Sequence, residues 1–283
     1  MKIKSILAKG YFNKLIWYVL MTIFALIFSM PLIWLFLTAF KTPQQTVAFP
    51  PEWIPNPWTF RSFVEGFADG SFGKQICNSI IVTLLCLIGT LVSSSLVGFG
   101  FSRLQARFKN FLFIVLLGTM MIPSTVTLIP TYVLYSKLGL INTYVPLVIP
   151  SFLGVGAFSI FLAKQFFDTL PKELDEASMI DGCSWFKTFA LIYIPNSKPL
   201  LIVISIFSFV GTWNDFFSPM IFLLDPDKYT LAVGLAMFRN QYGGASDIGP
   251  LMAMSLVSIL PVFILFFIAQ KYFVQGIATT GLK

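Results

Sequence analysis

The chain has 283 residues, of which 57% are hydrophobic and 11% are charged, and its formal net charge is +7. A soluble domain is usually about 45–50% apolar, so this composition excludes a water-soluble globular protein and predicts one whose solvent is membrane lipid. The sequence has no histidine and three cysteines, which excludes histidine-based catalysis and offers no metal or disulfide framework. No polybasic run accompanies the positive charge, so we expect no nucleic-acid partner.

Six apolar stretches predict six transmembrane helices, because each can cross a bilayer core of roughly 30 Å. The first follows a lysine-rich N-terminus and resembles a secretory signal, but it is about twice as long as a signal core, so we expect a retained span. The third contains Pro123 and Pro130, which interrupt helical hydrogen bonding. In chain order the stretches are Leu15–Phe40, Ile76–Phe101, Phe111–Tyr135, Tyr144–Phe167, Leu200–Phe222 and Ile248–Tyr272.

The predicted fold is therefore all-α and polytopic, with about six transmembrane helices. With six spans, the N-terminus, the C-terminus and every second connecting segment lie on the same side of the membrane. Lys and Arg are more frequent on that side than on the opposite side, so the positive-inside rule predicts cytosolic N- and C-termini. We expect a multi-pass protein of the cell membrane, either plasma or inner. Its parts are a cytosolic segment 1–14, a transmembrane domain 15–272 and a cytosolic tail 273–283.

The cytosolic segment 168–198, between the fourth and fifth spans, is predicted to form two short helices joined by a turn. Pro171 suits a first helical turn, and the acidic residues after it suit the positive end of the helix dipole. Gly182 can adopt the left-handed conformation that ends a helix. Ser184 can cap a second helix from Trp185 to Ile194, which Pro195 is expected to stop. These residues alone fit an ordinary solvated loop equally well.

A motif in this segment resembles the EAA loop of permeases from ATP-binding-cassette (ABC) importers. It reads Glu176-Ala177-Ser178-Met179-Ile180-Asp181-Gly182 and is followed by Ile194-Pro195. It departs from the family pattern at Ser178 and Cys183, where alanine is usual, but both replacements are small. Other segments are similar to the carbohydrate-uptake branch and, within it, to the six-span permease subunit of maltose type. These segments are Met120–Pro123, Leu128–Pro130, Leu138–Thr143, Gly211–Asp215 and Tyr229–Leu235.

The resemblance implies that residues 168–198, hereafter the coupling loop, insert a helix into a groove on an ATPase subunit. It assigns Glu176 to pairing with a basic ATPase residue and Ala177, with the small Ser178 beside it, to close approach. Asp181 would cap or orient the turn between the two helices, and Gly182 would set that turn.

The same resemblance implies three kinds of protein partner in the membrane assembly. They are a second, non-identical permease chain, an ABC ATPase dimer and an extracytoplasmic sugar-binding protein. The sequence has no Gly-x-x-x-x-Gly-Lys-Ser/Thr phosphate loop, so we expect ATP and Mg on the partner ATPase. We expect this chain to bind no cofactor and to be no enzyme.

An imported sugar needs polar side chains along its path. Asn78, Ser79 and Thr83 in the second span are candidates for this translocation path, and so are Trp213, Asn214 and Asp215 in the fifth. Ser and Thr in spans are often packing residues. Asp215 fits either a path or the outer surface, because an ionised group in a membrane is costly. Trp213 fits either a sugar-stacking or an interfacial position.

Three other functions compete with sugar import. An importer permease for a non-sugar solute would share the coupling loop and is the main alternative. An ion-coupled secondary carrier usually has ionisable groups near the bilayer midplane, whereas the predicted spans are nearly uncharged. A membrane enzyme would need a converging nucleophile, base or metal ligands, and the sequence indicates none.

Overall fold

The computed structural model describes residues 2–68, 70–242 and 247–280, and all regular structure within them is helical. The predicted all-α class is confirmed. The described residues include a π-helical turn, Phe189–Tyr193, and a 3₁₀ turn, Pro226–Lys228. The α-helices are α1 (Lys2–Ala39), α2 (Pro43–Thr46), α3 (Arg61–Phe67), α4 (Ser71–Arg103), α5 (Lys109–Thr119), α6 (Ser124–Lys137), α7 (Val145–Phe152), α8 (Ala157–Thr169), α9 (Glu173–Ile180), α10 (Trp185–Thr188), α11 (Ile194–Asn196), α12 (Lys198–Trp213), α13 (Phe217–Phe222), α14 (Leu231–Tyr242) and α15 (Gly249–Thr280).

Length and composition give the described residues four to six candidate membrane spans. Two bent pairs raise the number from four to six: α5 with α6, which meet at 98°, and 185–196 with α12, which meet at 81°. The first bend lies at Pro123, the first proline of the third predicted stretch, because this residue immediately precedes α6 and disfavours a helical residue before it. The four long spans are Lys14–Ala39, Ser71–Arg103, Val145–Thr169 and Gly249–Gln270.

The chain forms two compact units, one of residues 1–69 and 237–258 and the other of residues 70–236 and 259–283. In the first unit an aromatic cluster surrounds Phe40, whose ring centroid lies 5.1–5.6 Å from those of Trp58, Phe60 and Phe63. Thr59 N also donates to Phe40 O over 3.0 Å. This cluster fastens the end of α1 to the loop that follows it.

In the second unit α4 is the central helix and packs against α7, α8 and α12. Two glycines allow this close packing. A Cβ built at Gly98 would lie 2.5 Å from Ala163 Cβ, and one at Gly89 would lie 2.5 Å from Ser151 Oγ. The apolar core around Phe99 joins the end of α4 to α8 and the π-helical turn. The second unit contains both the coupling loop and the cavity described below.

Candidate functional site

The turn between α9 and α10 is built by Gly182. Its φ is +73°, in the left-handed region that glycine adopts without steric cost. Gly182 N donates to Met179 O over 3.1 Å, and Cys183 N donates to Ser178 O over 2.9 Å. This bond pair is the Schellman motif that ends many helices. The predicted helix-turn-helix is confirmed in this respect.

The second helix differs from the prediction beyond its first turn. Ser184 caps it as expected, because its Oγ accepts from Lys187 N over 3.4 Å. Pro195 does not stop the helical path, which continues through a π-helical turn to Asn196. Proline has no N–H for the carbonyl four residues back, and its ring collides with that carbonyl. The wider π turn ahead of Pro195 accommodates this conflict.

Ser178, which stands where the family usually has alanine, links the two short helices. It is 2% exposed. Its Oγ donates to Asp175 O over 2.8 Å and accepts from Thr188 Oγ1 over 2.9 Å. The sequence predicted only that serine is small enough for close packing. The hydrogen bond could have been suspected from the polar Thr188 on the apolar face of the second helix.

Arg103, the last residue of α4, anchors the coupling loop. Its side chain is 5% exposed, and Nη1 lies 3.5 Å from Asp175 Oδ2 on α9. Nη2 donates to Phe167 O over 2.7 Å and to Leu170 O over 2.5 Å. Asp175 Oδ1 accepts from the Tyr193 hydroxyl over 2.6 Å. One arginine therefore connects α4, α8, α9 and the π-helical turn. The sequence analysis used Lys and Arg residues only to predict which side of the membrane is cytosolic.

The charges around this anchor are fixed by their surroundings. Burial, together with the hydrogen bond to Asp175, raises the pKa of Tyr193 well above its usual range, so the phenol stays protonated and donates. The carboxylate of Asp168 accepts hydrogen bonds from Lys164 Nζ and Ser102 Oγ, each over 2.6 Å.

The outer face of the coupling loop combines acidic and apolar groups. Glu176, Ala177 and Asp181 are exposed. Apolar side chains on both short helices are exposed too, including Ile180 at 86% and Phe186 at 70%. Exposed apolar surface rimmed by polar groups commonly marks a protein contact. Of the predicted coupling residues, Ser178 alone is buried.

The second unit also contains a partly open cavity of about 420 Å³, within the range of about 300–1,000 Å³ typical of small-molecule sites. Parts of α4, α6, α7, α12 and α13 line it. Asp215 is the charged member of the lining. The hydroxyl-bearing residues of the lining are Ser79, Thr83, Ser124, Thr125, Thr127, Thr131, Thr212, Ser218 and Thr230.

Three of the six predicted path residues, Ser79, Thr83 and Asp215, line this cavity. Ser79 Oγ accepts from Leu231 N over 2.7 Å, and Asp215 Oδ1 accepts from Ser218 N over 3.2 Å. The sequence missed the hydroxyls of α6 and Thr230. Their convergence on α4 depends on the fold, so the sequence carries no local signal for it.

The other three predicted path residues lie outside the cavity lining. Asn78 Nδ2 donates to the carbonyls of Asp227 and Tyr229 over 2.9 and 3.0 Å. Trp213 is buried, and its ring stacks on Phe209 with centroids 5.6 Å apart. Asn214 is exposed and donates to Val210 O over 2.9 Å. Each of the three therefore has a structural contact within this unit.

The family of binding-protein-dependent transport system inner membrane components matches residues 91–279. The chain belongs to this family. The recognition based on the EAA motif is thus confirmed, and the protein is a multi-pass membrane component that works with other parts of an ABC transporter. This inner membrane component has the EAA segment, the Arg103 anchor and most of the cavity lining within the matched residues.

Individual relatives agree with the family assignment. The probable ABC transporter permease protein YurM of Bacillus subtilis is 34% identical over 97% of this chain and 90% of that protein. The trehalose/maltose transport system permease protein MalG of Thermococcus litoralis is 31% identical, over 92% of this chain and 93% of that protein. A solved bacterial ABC transporter involved in import of the acidic polysaccharide alginate contains a chain with the same fold. Its TM-score is 0.81 at 23% identity, covering 92% of this inner membrane component and 95% of that chain.

Proposed function

We propose that this chain is a permease subunit of an ATP-driven importer of sugars or oligosaccharides. Its family membership and the sugar named for its relative MalG support this substrate class. The observation that carries the proposal is the coupling loop, an acidic and apolar knob held to α4 by the buried Arg103–Asp175 pair. A partner that displaces this projecting loop would also move the membrane helices to which the loop is bonded.

A displacement of the coupling loop can reach the cavity through groups that are bonded to one another. Movement of α9 acts on Asp175 and, through the ion pair, on Arg103 at the end of α4. α4 continues to Thr83 and Ser79, which line the cavity. Since an α-helix rises 1.5 Å per residue, Arg103 and Ser79 are roughly 36 Å apart along α4. The coupling loop therefore lies at one end of α4, and the cavity lies along the other half of the same helix.

The proposal includes the following assembly. Two ABC ATPase subunits bind ATP and Mg and hydrolyse ATP, while this chain binds no cofactor and catalyses no reaction. A second, non-identical permease completes the membrane path, and an extracytoplasmic binding protein delivers the sugar. Membrane lipid covers the apolar outer surface. The N- and C-termini and the coupling loop are cytosolic, with Glu176 paired to a basic ATPase residue and Ala177, Asp181 and Gly182 shaping the contact.

Reversing the charge of Glu176 tests the coupling role. Glu176→Lys should abolish sugar uptake by the reconstituted transporter while the protein still inserts and purifies, because a lysine would face the basic ATPase residue. Glu173→Lys makes the same charge change at another exposed position of α9 and should keep most of the uptake. Full uptake by Glu176→Lys would contradict the coupling assignment.

Mild extraction from native membranes tests the assembly. Mass spectrometry of the co-purified proteins should find an ATPase, a second permease and a sugar-binding protein. Recovery of the same ATPase and permease with a binding protein for a non-sugar solute would favour the main alternative. A chain that purifies alone, even after cross-linking, would contradict the importer assignment in favour of a stand-alone carrier.

A further inference from the structure

We propose that the cavity is a binding site for a neutral carbohydrate unit within this subunit, formed by the hydroxyls of Thr83 and Thr230 together with Asp215. The inference rests on the proposed function and deepens it, since it places a sugar contact in this chain rather than only in a partner permease. Hydrogen-bonding capacity, chemistry of the lining and rigidity of the walls carry it.

Two hydroxyls of the lining are orphaned. Thr83 is 1% exposed and Thr230 is 5% exposed. Neither Oγ1 has a hydrogen-bond partner among the described residues. Buried polar side-chain atoms nearly always have a partner, so two orphans lining one cavity indicate a polar group supplied from outside the chain. Ser79 differs, because Leu231 N already donates to its hydroxyl.

The lining selects the chemistry of the ligand. A hydroxyl both donates and accepts, while an ionised carboxylate only accepts, so this set suits a molecule with several hydroxyls. Asp215 disfavours an anionic ligand by repulsion. Phe217, Phe222 and Pro146 offer apolar surface to the C–H face of a sugar ring. A neutral carbohydrate unit combines these features.

The wall that carries Thr230 is fixed to α4. Asn78 bonds the carbonyls of Asp227 and Tyr229, on either side of Lys228. Lys74 Nζ lies 2.8 Å from Asp227 Oδ1. These contacts hold Thr230 on the same cavity as Thr83. Asn78 is therefore a positioning residue for the site and need not touch the sugar itself.

Thr→Val substitutions test the site because they remove a hydroxyl and keep the shape of the side chain. The complete transporter is reconstituted in proteoliposomes with its binding protein and given an equimolar mixture of neutral di- to tetrasaccharides. Thr83→Val and Thr230→Val should each lower the initial uptake rate about tenfold, since the sugar loses a hydrogen bond in a buried site. The melting temperature should stay equal or rise, because a buried hydroxyl that has no partner among the described residues is removed.

Thr38→Val is the matched control. Thr38 Oγ1 is also buried without a partner among the described residues, but Thr38 belongs to the first unit and does not line the cavity. It should preserve uptake. Unchanged uptake in both cavity variants would show that water alone solvates these hydroxyls and would overturn the site. Lost uptake together with a lowered melting temperature would show that the hydroxyls stabilise the fold, and it would overturn the site as well. A wild-type transporter that imports no sugar of the mixture would instead contradict the proposed function, and this site with it.

Discussion

Replacing Asp175 by asparagine is expected to loosen the coupling loop from the end of α4. Asparagine keeps the shape of the side chain and can still accept from Tyr193, but it removes the negative charge 3.5 Å from Arg103 Nη1. The guanidinium, 5% exposed, would then stay buried with two carbonyls as its bonded partners. Removing one partner of a buried ion pair costs about 3–5 kcal/mol, and the remaining carbonyl bonds favour the lower value.

Hydrogen–deuterium exchange of the assembled transporter in lipid nanodiscs measures this loss. The amides of Gly182 and Cys183 are informative, because both donate to carbonyls of α9. Lowering the free energy of local opening by about 3 kcal/mol makes their exchange about 150-fold faster, at about 1.4 kcal/mol per factor of ten. Glu173→Gln removes the same charge from an exposed position of α9 and should leave exchange unchanged.

A double variant separates charge from packing. Adding Arg103→Met to Asp175→Asn removes the buried charge and should restore most of the protection, since apolar replacement of a buried pair is often neutral. Exchange in Asp175→Asn within about threefold of the wild-type rate would refute the reasoning that this ion pair holds the coupling loop.

A further prediction concerns a neighbouring contact. Ser178→Ala should destabilise the coupling loop by about 1 kcal/mol, measured by the same exchange experiment, because it removes the hydrogen bond between α9 and α10 and leaves the single hydroxyl proton of Thr188 to Ser184 O. Adding Thr188→Val should cost little more, because the bond between the two hydroxyls is already lost, and an additive loss would contradict the pairing.

Local rules predicted the parts of the coupling loop that depend on neighbouring residues. Gly182 ends a helix because its backbone permits a positive φ, and Ser184 caps the next because its side chain reaches Lys187 N. The same kind of rule gave a wrong end at Pro195, since a π turn lets the helix accommodate a proline. The sequence shows that a proline will remove a helical hydrogen bond and create a steric clash, but it does not show how the backbone around the proline will accommodate this clash.

Contacts between distant segments could not be predicted. Arg103 bonds to carbonyls 64 and 67 residues away, and nothing near it in the sequence separates an anchor from a topology charge. The cavity was found in part, because Ser79, Thr83 and Asp215 are polar residues in or beside apolar spans. Thr230 was missed because it lies in a loop whose approach to α4 depends on Asn78.

The close packing of Gly98 against Ala163 determines how α4 can move. A side chain at Gly89 or Gly98 would collide with α7 or α8, so sliding is blocked and α4 is expected to tilt with its neighbours as a stiff rod. Its 33 residues make it about 50 Å long. A tilt of about 5° about its midpoint moves each end by about 2 Å, in opposite directions. A push that closes the helices at the coupling loop would then open them at the far end of α4 and shift Ser79, eight residues from the midpoint, by about 1 Å, so a rigid helix can by itself move the two sides of the membrane in opposite senses.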